Sequence, residues 1–546
     1  MRMRATVVSA LSVALLLVCG WVAVAADQEV LPPSVTPVVV IQGTDYEMGY
    51  QYGQQAGQWI EKRAVIEWGT FARWGYTYEE MIRELKSAQY YTKKSAPECI
   101  TQMEGIADGA RAAGYDVSYL DVLLLNAAWI VRKVPTATAT YPRAAEFEDV
   151  GEGECSLWVA YGSMTADGAL ICNDSDDMGV FDYGVVVVAF PETGNNYVTT
   201  CRPGELAQTP NMNSKGVFIG CSTGPASRPE DKDYGIPWMF ARVHAIRFAN
   251  TAVEAKNMII AMDVASGLSL TIADTTPNAL VLEITSAGYA VRKVGDNGEK
   301  DFIFASNNYL TKEMGPANAA PDWIEHIGWN KGSSVTRNQE MWDFLTNYPG
   351  KQSVDFAKMM WRFPGTEPPA APAGGWKTQI SNLGNERVAI MLPKNGPGGL
   401  TYLCTGNAAR VVLPFSKGIY PIDPTHTFYE LSLAENPQKV AESAYSAATK
   451  YIAAAYAKLM YLNYTDTGYE GLSALYSKAV AEYYEGYNAM NKAATLSAPE
   501  SLLWYGRGTT LFANAQCHAQ QVYEALEPPA TTPEELGLQP WGYWVK

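Results

Sequence analysis

The chain has 546 residues, of which 47% are hydrophobic and 18% charged, a balance typical of a globular protein and not of a disordered one. It has 57 acidic and 41 basic residues, which gives a formal net charge of −16 at pH 7. Such a charge repels nucleic acid and phosphate-rich ligands, and it argues against both nucleic acid and coenzyme A as partners.

The first 26 residues have the pattern of a secretory signal peptide. Arg2 and Arg4 give a basic start, Ala10–Val18 is apolar, and small residues precede Asp27. We therefore predict export to a secreted or periplasmic location without a lipid anchor. No later apolar run is long enough to span a bilayer. Loss of the two signal-peptide arginines leaves 39 basic against 57 acidic residues, a net charge of −18.

The segment from residue 27 to residue 154 is predicted to contain a short strand followed by helices. The first helix opens with a capping box formed by Thr44 and Glu47. Glycines 49, 53 and 57 recur on one of its faces, and each costs roughly 1 kcal/mol relative to alanine, so this stripe must lie against another backbone. Further helices are predicted over Tyr78–Lys94, Pro97–Ala113 and Ser118–Val131, followed by a loop at Pro135–Val150.

From Cys155 onward the pattern changes to that of β-strands. Predicted strands include Ser156–Tyr161, Ala169–Asn173, Gly184–Phe190, Tyr197–Cys201, Lys215–Gly220, Arg387–Leu392 and Leu400–Cys404. Helical patterns cover Ile236–Asp263 and residues 309–360, and Pro364–Gly375 is a predicted surface loop. This order of elements predicts an α+β fold with antiparallel connections and not a parallel βαβ array.

The composition changes again after about Pro424. Asn436 and Pro437 form a helix start, and apolar residues at helical spacing follow. Further helices are predicted over Leu472–Lys492 and about Ser501–Leu526, all rich in tyrosine. We expect residues 425–546 to form a helical appendage and tail whose tyrosines pack between helices. A contact face for glycan or cell wall is the alternative.

Several kinds of site find no support in the sequence. The four histidines are isolated, no HExxH motif or CxxC pair is present, and no phosphate-binding glycine motif follows a strand, so we predict neither a metal nor a cofactor. Seven cysteines remain after the signal peptide. With Cys155 set aside, six could form three disulfides, and Cys201 with Cys221, which flank a predicted hairpin, is the best candidate pair.

One stretch, residues 151–177, combines features that indicate nucleophilic catalysis. A flexible lead, Gly151–Glu154, precedes Cys155, and a predicted hairpin then ends in Asp174, Asp176 and Asp177. A cysteine at a chain terminus can use its own α-amine as base, because that amine has a free pKa of about 7.7–8.0. The thiol could expose this amine by attacking the Glu154 carbonyl and breaking the Glu154–Cys155 bond.

Four segments, in order and at matching spacing, resemble the isopenicillin N acyltransferase-like family of autoproteolytic N-terminal nucleophile (Ntn) hydrolases. The similarity covers about residues 38–415. The segments are IQGTDYEMGYQYGQQAG (Ile41–Gly57), GECSLWVAY…DGALICNDSD around Cys155, NMNSKGVFIG (Asn211–Gly220) and FASNNYL (Phe304–Leu310). The resemblance implies a four-layer αββα Ntn-hydrolase sandwich, to which the C-terminal helices are added.

The resemblance also implies a role for each matched residue. Cys155 is the nucleophile and cleavage residue, and Asp176 holds the new α-amine. Asn307 donates to the oxyanion, and Asn213 forms the other part of that hole through its backbone or side chain. Ser175 replaces the family's aromatic residue, and bile-salt hydrolase and penicillin V acylase relatives carry an arginine near position 173 or 174 that this chain lacks. The family's late catalytic arginine does not register cleanly with Asn385–Arg387.

Together these features predict an exported amidohydrolase with a signal peptide at 1–26, an α-segment at 27–154 and a β-segment core at 155–424, followed by the appendage. The two segments are expected to stay associated after cleavage. The substrate would be an N-acyl amino acid, a small linear or cyclic peptide or an acyl amine, with hydrolysis favoured over acyl transfer. Two alternatives stay open: a non-catalytic Ntn-derived surface binding protein, and a phospholipase B-like ester hydrolase.

Overall fold

The computed structural model describes residues 37–539 apart from several gaps. The gaps are residues 74, 132–154, 178–183, 225–234, 266, 317–330, 363–379, 381–384, 406–407, 409–426, 464, 467, 528 and 531. The predicted signal peptide, Glu154 with its glycine-rich lead, and the predicted loop at 364–375 all lie outside the described residues. Those assignments therefore stay predictions.

The described residues form both helices and strands, which confirms the mixed α and β content. The helices are α1 (Asp45–Arg73), α2 (Tyr78–Ser95), α3 (Pro97–Ala112), α4 (Tyr119–Val131), α5 (Trp238–Phe248), α6 (Ala252–Ile260), α7 (Lys331–Asn347), α8 (Val354–Arg362), α9 (Pro437–Leu459), α10 (Tyr469–Ala493) and α11 (Glu500–Leu526). The first eight strands are β1 (Val38–Gly43), β2 (Leu157–Ala160), β3 (Ile171–Asp177), β4 (Val185–Pro191), β5 (Tyr197–Cys201), β6 (Asn211–Asn213), β7 (Phe218–Thr223) and β8 (Ile236–Pro237). The others are β9 (Val264–Ala265), β10 (Leu268–Asp274), β11 (Asn278–Thr285), β12 (Gly288–Lys293), β13 (Phe302–Ala305), β14 (Asn385–Leu392), β15 (Gly399–Thr405) and β16 (Tyr429–Leu433).

Two large sheets form the centre of the molecule. One has eight strands in the order β1-β4-β5-β6-β7-β10-β11-β12, and the other has six in the order β13-β2-β3-β14-β15-β16. Within these sheets β1 and β4 pair in parallel and the other pairs are antiparallel. The predicted antiparallel connections are therefore confirmed, with β1–β4 as the exception.

Strands β4, β5, β7 and β10 of the eight-stranded sheet are buried on both faces, which explains uninterrupted apolar runs such as that of β4. In β1, Val38 and Val40 join a core shared with the six-stranded sheet, whereas Val39 and Ile41 join a core shared with helices α1–α6. A third core lies between the outer face of the six-stranded sheet and helices α7 and α8. The eight-stranded sheet thus shares one core with helices α1–α6 and another with the six-stranded sheet.

Gly49 and Gly53 of the α1 glycine stripe pack against the backbone of α3, as their spacing predicts, whereas Gly57 faces the ring of Tyr115. A Cβ atom added to Gly49 would lie 2.0 Å from the carbonyl oxygen of Gln102, and one added to Gly109 would lie 1.9 Å from that of Tyr50. Real Cβ contacts do not approach so closely, so only glycine permits this distance between the two helices. The helices in turn form the layer that covers β1, β4 and β5.

The disulfide prediction is wrong. All seven cysteines after the signal peptide are buried free thiols. Cys201 ends β5 and Cys221 lies in β7, and β6 separates these strands. Two strands that are not neighbours lie about 10 Å apart, whereas a disulfide needs Cα atoms within about 7 Å.

The C-terminal helices are joined to the body through α11. Thr510 Oγ1 accepts a hydrogen bond of 2.9 Å from the Val38 amide on β1, an edge strand of the eight-stranded sheet. Gln516 Oε1 accepts one of 2.9 Å from Glu430 on β16, an edge strand of the six-stranded sheet. The side chain of Cys517 belongs to the core between the sheets. Helix α11 therefore packs across one open side of the sandwich.

Some tyrosines of this C-terminal region pack between helices, and others are exposed on the surface. Tyr445 and Tyr483 stack with their ring centroids 5.1 Å apart, and both meet the edge of Phe512, which is fully buried. Tyr461 and Tyr484, in contrast, are 87% and 62% exposed. The packing role is confirmed for the first group, and contact with glycan or cell wall stays a prediction.

Candidate functional site

Three of the four predicted site residues meet at one end of the six-stranded sheet. Antiparallel pairing sets Leu157 opposite Ala305 on β13 and opposite Asp174 on β3. Two residues further along, the same registers place Cys155 between Asn307 on one side and Asp176 on the other. This juxtaposition follows from strand register, since residues two apart in a strand lie on the same face.

Cys155 is held by hydrogen bonds on its backbone. It lies two residues before β2, is 4% exposed, and its N–H donates to Asn307 Oδ1 at 2.9 Å. Burial raises the pKa of the Cys155 thiol well above its usual value, and the nearby carboxylates raise it further, Asp176 most strongly of the three. The Asp177 backbone opposes this shift. The thiol is therefore neutral at pH 7 in the uncleaved chain.

Asp176 is paired with an arginine from the neighbouring strand. Arg387 lies directly opposite it on β14, and Arg387 Nη2 donates to Asp176 Oδ2 and, at 2.6 Å, to Gln208 Oε1. Both Asp176 and Arg387 are 2% exposed. Removal of either charge would leave the other buried and uncompensated, which makes the pair a fixed part of the site.

A β-bulge gives the next carboxylate its own partner. The register between β3 and β14 shifts between Asn385 and Arg387, so Asp177 pairs with Asn385 and Asp176 with Arg387. Asn385 Nδ2 donates to Asp177 Oδ1. Bulges of this kind re-aim side chains next to functional sites. The bulge therefore lets Asp176 and Asp177 each contact a different residue of β14.

Arg337 belongs to the site, although the sequence reasoning did not identify it. It extends from α7, is fully buried, and donates through Nη2 to Asn307 Oδ1 at 2.9 Å. Its Nη1 donates to the Cys155 carbonyl oxygen and, at 3.0 Å, to Ser156 Oγ. No local sequence pattern marks Arg337, because it reaches the site only through the packing of α7.

Hydrogen bonds to both Oδ1 and Nδ2 fix the orientation of the Asn307 side-chain amide. Oδ1 accepts from Cys155 and Arg337, and Nδ2 donates at 2.9 Å to the carbonyl oxygen of Thr223 at the end of β7. An amide nitrogen has two hydrogens, and Thr223 is the one acceptor of Nδ2 within the part of the chain that the structure describes. The second hydrogen can therefore be offered to a substrate oxygen.

The contacts of Asn213 lie in a turn and at a helix end, and its assignment to the oxyanion hole stays a prediction. Its Nδ2 donates to the carbonyls of Ile246 and Ala249 at the end of α5, at 2.7 and 2.9 Å. Its Oδ1 accepts from the Lys215 amide, and its backbone N–H donates to Val217 O. All of its donors are thus used in a turn and a helix end. The residue of this hairpin that touches Asn307 is Thr223.

Asp174 ties the two sheets together below the nucleophile. From β3 its Oδ2 accepts from Thr209 Oγ1 at 2.6 Å and from the Cys221 amide at 3.2 Å, both in the eight-stranded sheet or its connections. A Cβ on Gly220 would lie 2.6 Å from this oxygen, so glycine makes room for the contact. Burial raises the pKa of Asp174 well above its usual value, although these hydrogen bonds oppose the shift.

No group of three or more His, Cys, Asp and Glu side chains in the described part of the chain is arranged to hold a metal ion. Nor does any described helix have the length and apolar character needed to cross a membrane.

Comparisons with known proteins give distant similarities. No protein-family model matches the chain. An uncharacterized protein of Archaeoglobus fulgidus is 27% identical over 304 residues, and the chain spans half the length of that relative. A mutant conjugated bile acid hydrolase from Clostridium perfringens matches 46% of this chain and 89% of its own at 10% identity and a TM-score of 0.30. Penicillin V acylase from Agrobacterium tumefaciens matches 46% and 83% at 15% identity and a TM-score of 0.29.

Proposed function

We propose that the protein is an exported, autoproteolytic amidohydrolase of the Ntn class with the four-layer αββα architecture and with Cys155 as nucleophile. The observation that carries the proposal is the convergence of Cys155, Asn307 and Asp176, from three neighbouring strands, at one sheet end. A buried thiol beside a fixed amide and a paired carboxylate is the set that such chemistry needs. No other described cysteine has an amide side chain bonded to its own backbone N–H.

Maturation would begin with an attack on the preceding peptide bond. The Cys155 sulfur adds to the Glu154 carbonyl carbon, and collapse of the tetrahedral intermediate breaks the C–N bond to give a thioester and a free α-amine. Water then hydrolyses the thioester and returns the thiol, leaving a carboxylate on Glu154. The thiol proton needs an acceptor in this first step, and we assign that role to Asp176, which the β2–β3 register places beside Cys155.

In the mature enzyme the α-amine of Cys155 would be the base. It removes the thiol proton, the sulfur attacks the substrate amide carbonyl, and the ammonium returns a proton to the leaving amine. Water attacks the resulting thioester and releases the acid. Asp176 would hold the ammonium, and Asn307 Nδ2 would donate to the oxyanion.

Arg337 would hold Asn307 and Cys155 at a fixed separation during both autocleavage and substrate hydrolysis. Its guanidinium fork contacts the Asn307 amide and the Cys155 carbonyl at the same time. A planar group with fixed donors can hold two acceptors at a set separation, which a lysine ammonium does less well. We therefore assign Arg337 a positioning role in the proposed site.

The proposed substrates are N-acyl amino acids, small peptides and acyl amines. Hydrolysis is favoured over acyl transfer because an exported enzyme meets abundant water, and because the mature net charge of −18 disfavours coenzyme A. After cleavage the two segments would stay together, since β1 from the α-segment pairs along its length with β4 from the β-segment.

A substrate panel tests this proposal. Purified protein would be incubated with N-acyl amino acids, acyl amines, short peptides and lysophospholipids, and release of amine or fatty acid would be measured. We expect amine release by the wild type, none by Cys155→Ala, and unchanged release by Cys172→Ala, which removes a buried thiol from the same hairpin. Release of fatty acid alone would favour the ester hydrolase, and no turnover of any compound would favour a binding protein.

A further inference from the structure

The two residues that flank Asn307 are attached to helix α7 by the side chain that follows Arg337. Asn338 Nδ2 donates a hydrogen bond of 2.7 Å to Asn308 Oδ1. Asn338 Oδ1 accepts one of 2.8 Å from the Ser306 hydroxyl, and both Ser306 and Asn338 are buried. One side-chain amide thus uses its donor on the residue after Asn307 and its acceptor on the residue before it.

The Ser306 hydroxyl lies at the centre of these contacts. Besides Asn338 Oδ1, it is 2.9 Å from Asn308 Oδ1 and 3.0 Å from the Ser334 carbonyl, one turn earlier in α7. A hydroxyl has one hydrogen to donate, so these acceptors share it. The segment that follows β13 is therefore bound closely to one turn of α7.

Strand β7 holds the same segment through two consecutive residues. Ser222 Oγ donates to the Ser306 carbonyl at 2.7 Å, and the Thr223 carbonyl accepts from Asn307 Nδ2 at 2.9 Å. The segment is thus fixed to a strand of the eight-stranded sheet as well as to α7. If the contacts with α7 were lost, its backbone could shift relative to the end of β2, where the nucleophile lies.

We propose that Asn338 is a positioning residue for Asn307. By fixing Ser306 and Asn308, it holds the backbone between them, so that Asn307 Oδ1 stays 2.9 Å from the Cys155 backbone nitrogen. The inference rests on the proposed function in so far as Asn307 belongs to the catalytic site. It deepens that function by adding a residue that acts through its neighbours and not on the substrate.

The contact that Arg337 makes with Asn307 does not replace those of Asn338. A long arginine side chain has many rotamers, so it can follow the Asn307 amide through a small shift of the backbone. A short asparagine side chain has few, and its two hydrogen bonds fix the distance between the helix and the segment. Loss of Asn338 should therefore move Asn307 even though Arg337 is still present.

Hydrogen exchange of the backbone amide at position 155 tests this inference without any reaction. The full chain with Cys155→Ala lacks the thiol but keeps the N–H that Asn307 Oδ1 accepts. Mass spectrometry with single-residue fragmentation would follow this amide and the amides of β4, which pairs with a strand on each side. Adding Asn338→Ala should speed exchange at position 155 about three- to tenfold, as loss of one ordinary hydrogen bond would, and leave β4 within about twofold.

Two further variants separate positioning from loss of structure. Gln339→Ala removes an amide from the next residue of α7, where the side chain is exposed, and should leave exchange at position 155 within about twofold. Asn338→Asp keeps the size of the side chain and the oxygen that accepts from Ser306. Its carboxylate cannot donate to Asn308, so this variant should also speed exchange at position 155.

A double variant shows whether Asn338 acts through Asn307. Asn307→Ala removes the acceptor itself, so adding Asn338→Ala to it should speed exchange at position 155 no further. An additive effect would overturn the inference. So would unchanged exchange at position 155 in both Asn338 variants, or an equal acceleration of the β4 amides. The measurement needs neither cleavage nor turnover, so its outcome is independent of whether the protein cleaves amides.

Discussion

Arg387 and Asp176 face each other across the β14–β3 pair, and their charged groups are in direct contact where both are shielded from water. The pair explains how an acidic cluster can lie beside a buried thiol. The Arg387 guanidinium donates to the Asp176 carboxylate, and the Asn385 amide donates to that of Asp177. The bulge in β14 allows both contacts on consecutive residues of β3.

Removal of Arg387 should destabilise the fold strongly. We expect Arg387→Met to lower the free energy of unfolding by about 3–5 kcal/mol, because Asp176 would be left buried without its counter-charge. Chemical denaturation at pH 7 measures this loss. In Asp176→Asn/Arg387→Met, both charges are gone and much of the stability should return. If the single variant is as stable as wild type, Asp176 is not an ionised partner of Arg387.

Asn307 and Asn213 should respond to the same substitution in different ways. Asn307→Ala removes the acceptor of the Cys155 N–H and the proposed oxyanion donor, so autocleavage should slow on the order of 10²–10³-fold in folded protein. Asn213→Ala removes a helix-end contact and should lower the melting temperature while the cleavage rate stays within about threefold. Cleavage is followed by gel densitometry of newly refolded precursor. The reverse pattern would support the assignment of Asn213 to the oxyanion hole.

Arg337→Lys tests whether the guanidinium shape matters. Lysine keeps the charge, but its single ammonium cannot contact Asn307 Oδ1 and the Cys155 carbonyl with the same fixed geometry. We expect turnover to fall about tenfold or more at saturating substrate, with little change in KM, because positioning of the reacting groups is lost. Arg507→Lys on α11 makes the same arginine-to-lysine substitution and serves as the control. Wild-type turnover in Arg337→Lys would show that charge alone suffices.

Asp174 should make stability depend on pH in a defined direction. The pKa of Asp174 is raised in the folded state, so above the unfolded pKa of about 3.9 unfolding releases a proton. Protonated Asp174 therefore contributes to the free energy of unfolding. This contribution is fully present below pH 3.9 and is lost as pH rises through the pKa that Asp174 has in the folded state.

Asp174→Asn removes that dependence. The variant should be more stable than the wild type at pH 7, because an amide is a neutral group at every pH, and the difference should shrink as pH falls toward 4. Urea denaturation at several pH values checks the trend. A variant that is less stable at pH 7 but not at pH 4 would show that Asp174 is needed as a carboxylate.

Much of the fold could be predicted because it follows from local patterns. The capping box at Thr44 and the glycine stripe located α1 and its close partner, and the apolar alternation after Cys155 located the hairpin. Strand register then makes the meeting of Cys155 with Asp176 predictable, since two strands joined by a short connection pair with each other.

The rest depended on contacts between distant parts of the chain. Arg337 and Arg387 carry no local pattern that marks them, and they reach the site through the packing of α7 and through a bulge in β14. Asn213 lies in a turn three residues before Gly216, a pattern shared by functional and structural residues. Its contacts with the end of α5 depend on how that helix packs, which the local sequence does not show. The free cysteines were missed because strand order, which separates Cys201 from Cys221, is not encoded in spacing.

The central claim is that Cys155 becomes the N-terminus of a new chain, and the intact mass of the purified mature protein tests it most directly. The account predicts two fragments for the wild type, with the break between Glu154 and Cys155, and one unbroken chain for Cys155→Ala. A wild-type protein that stays a single chain under the conditions of the substrate assay would contradict it.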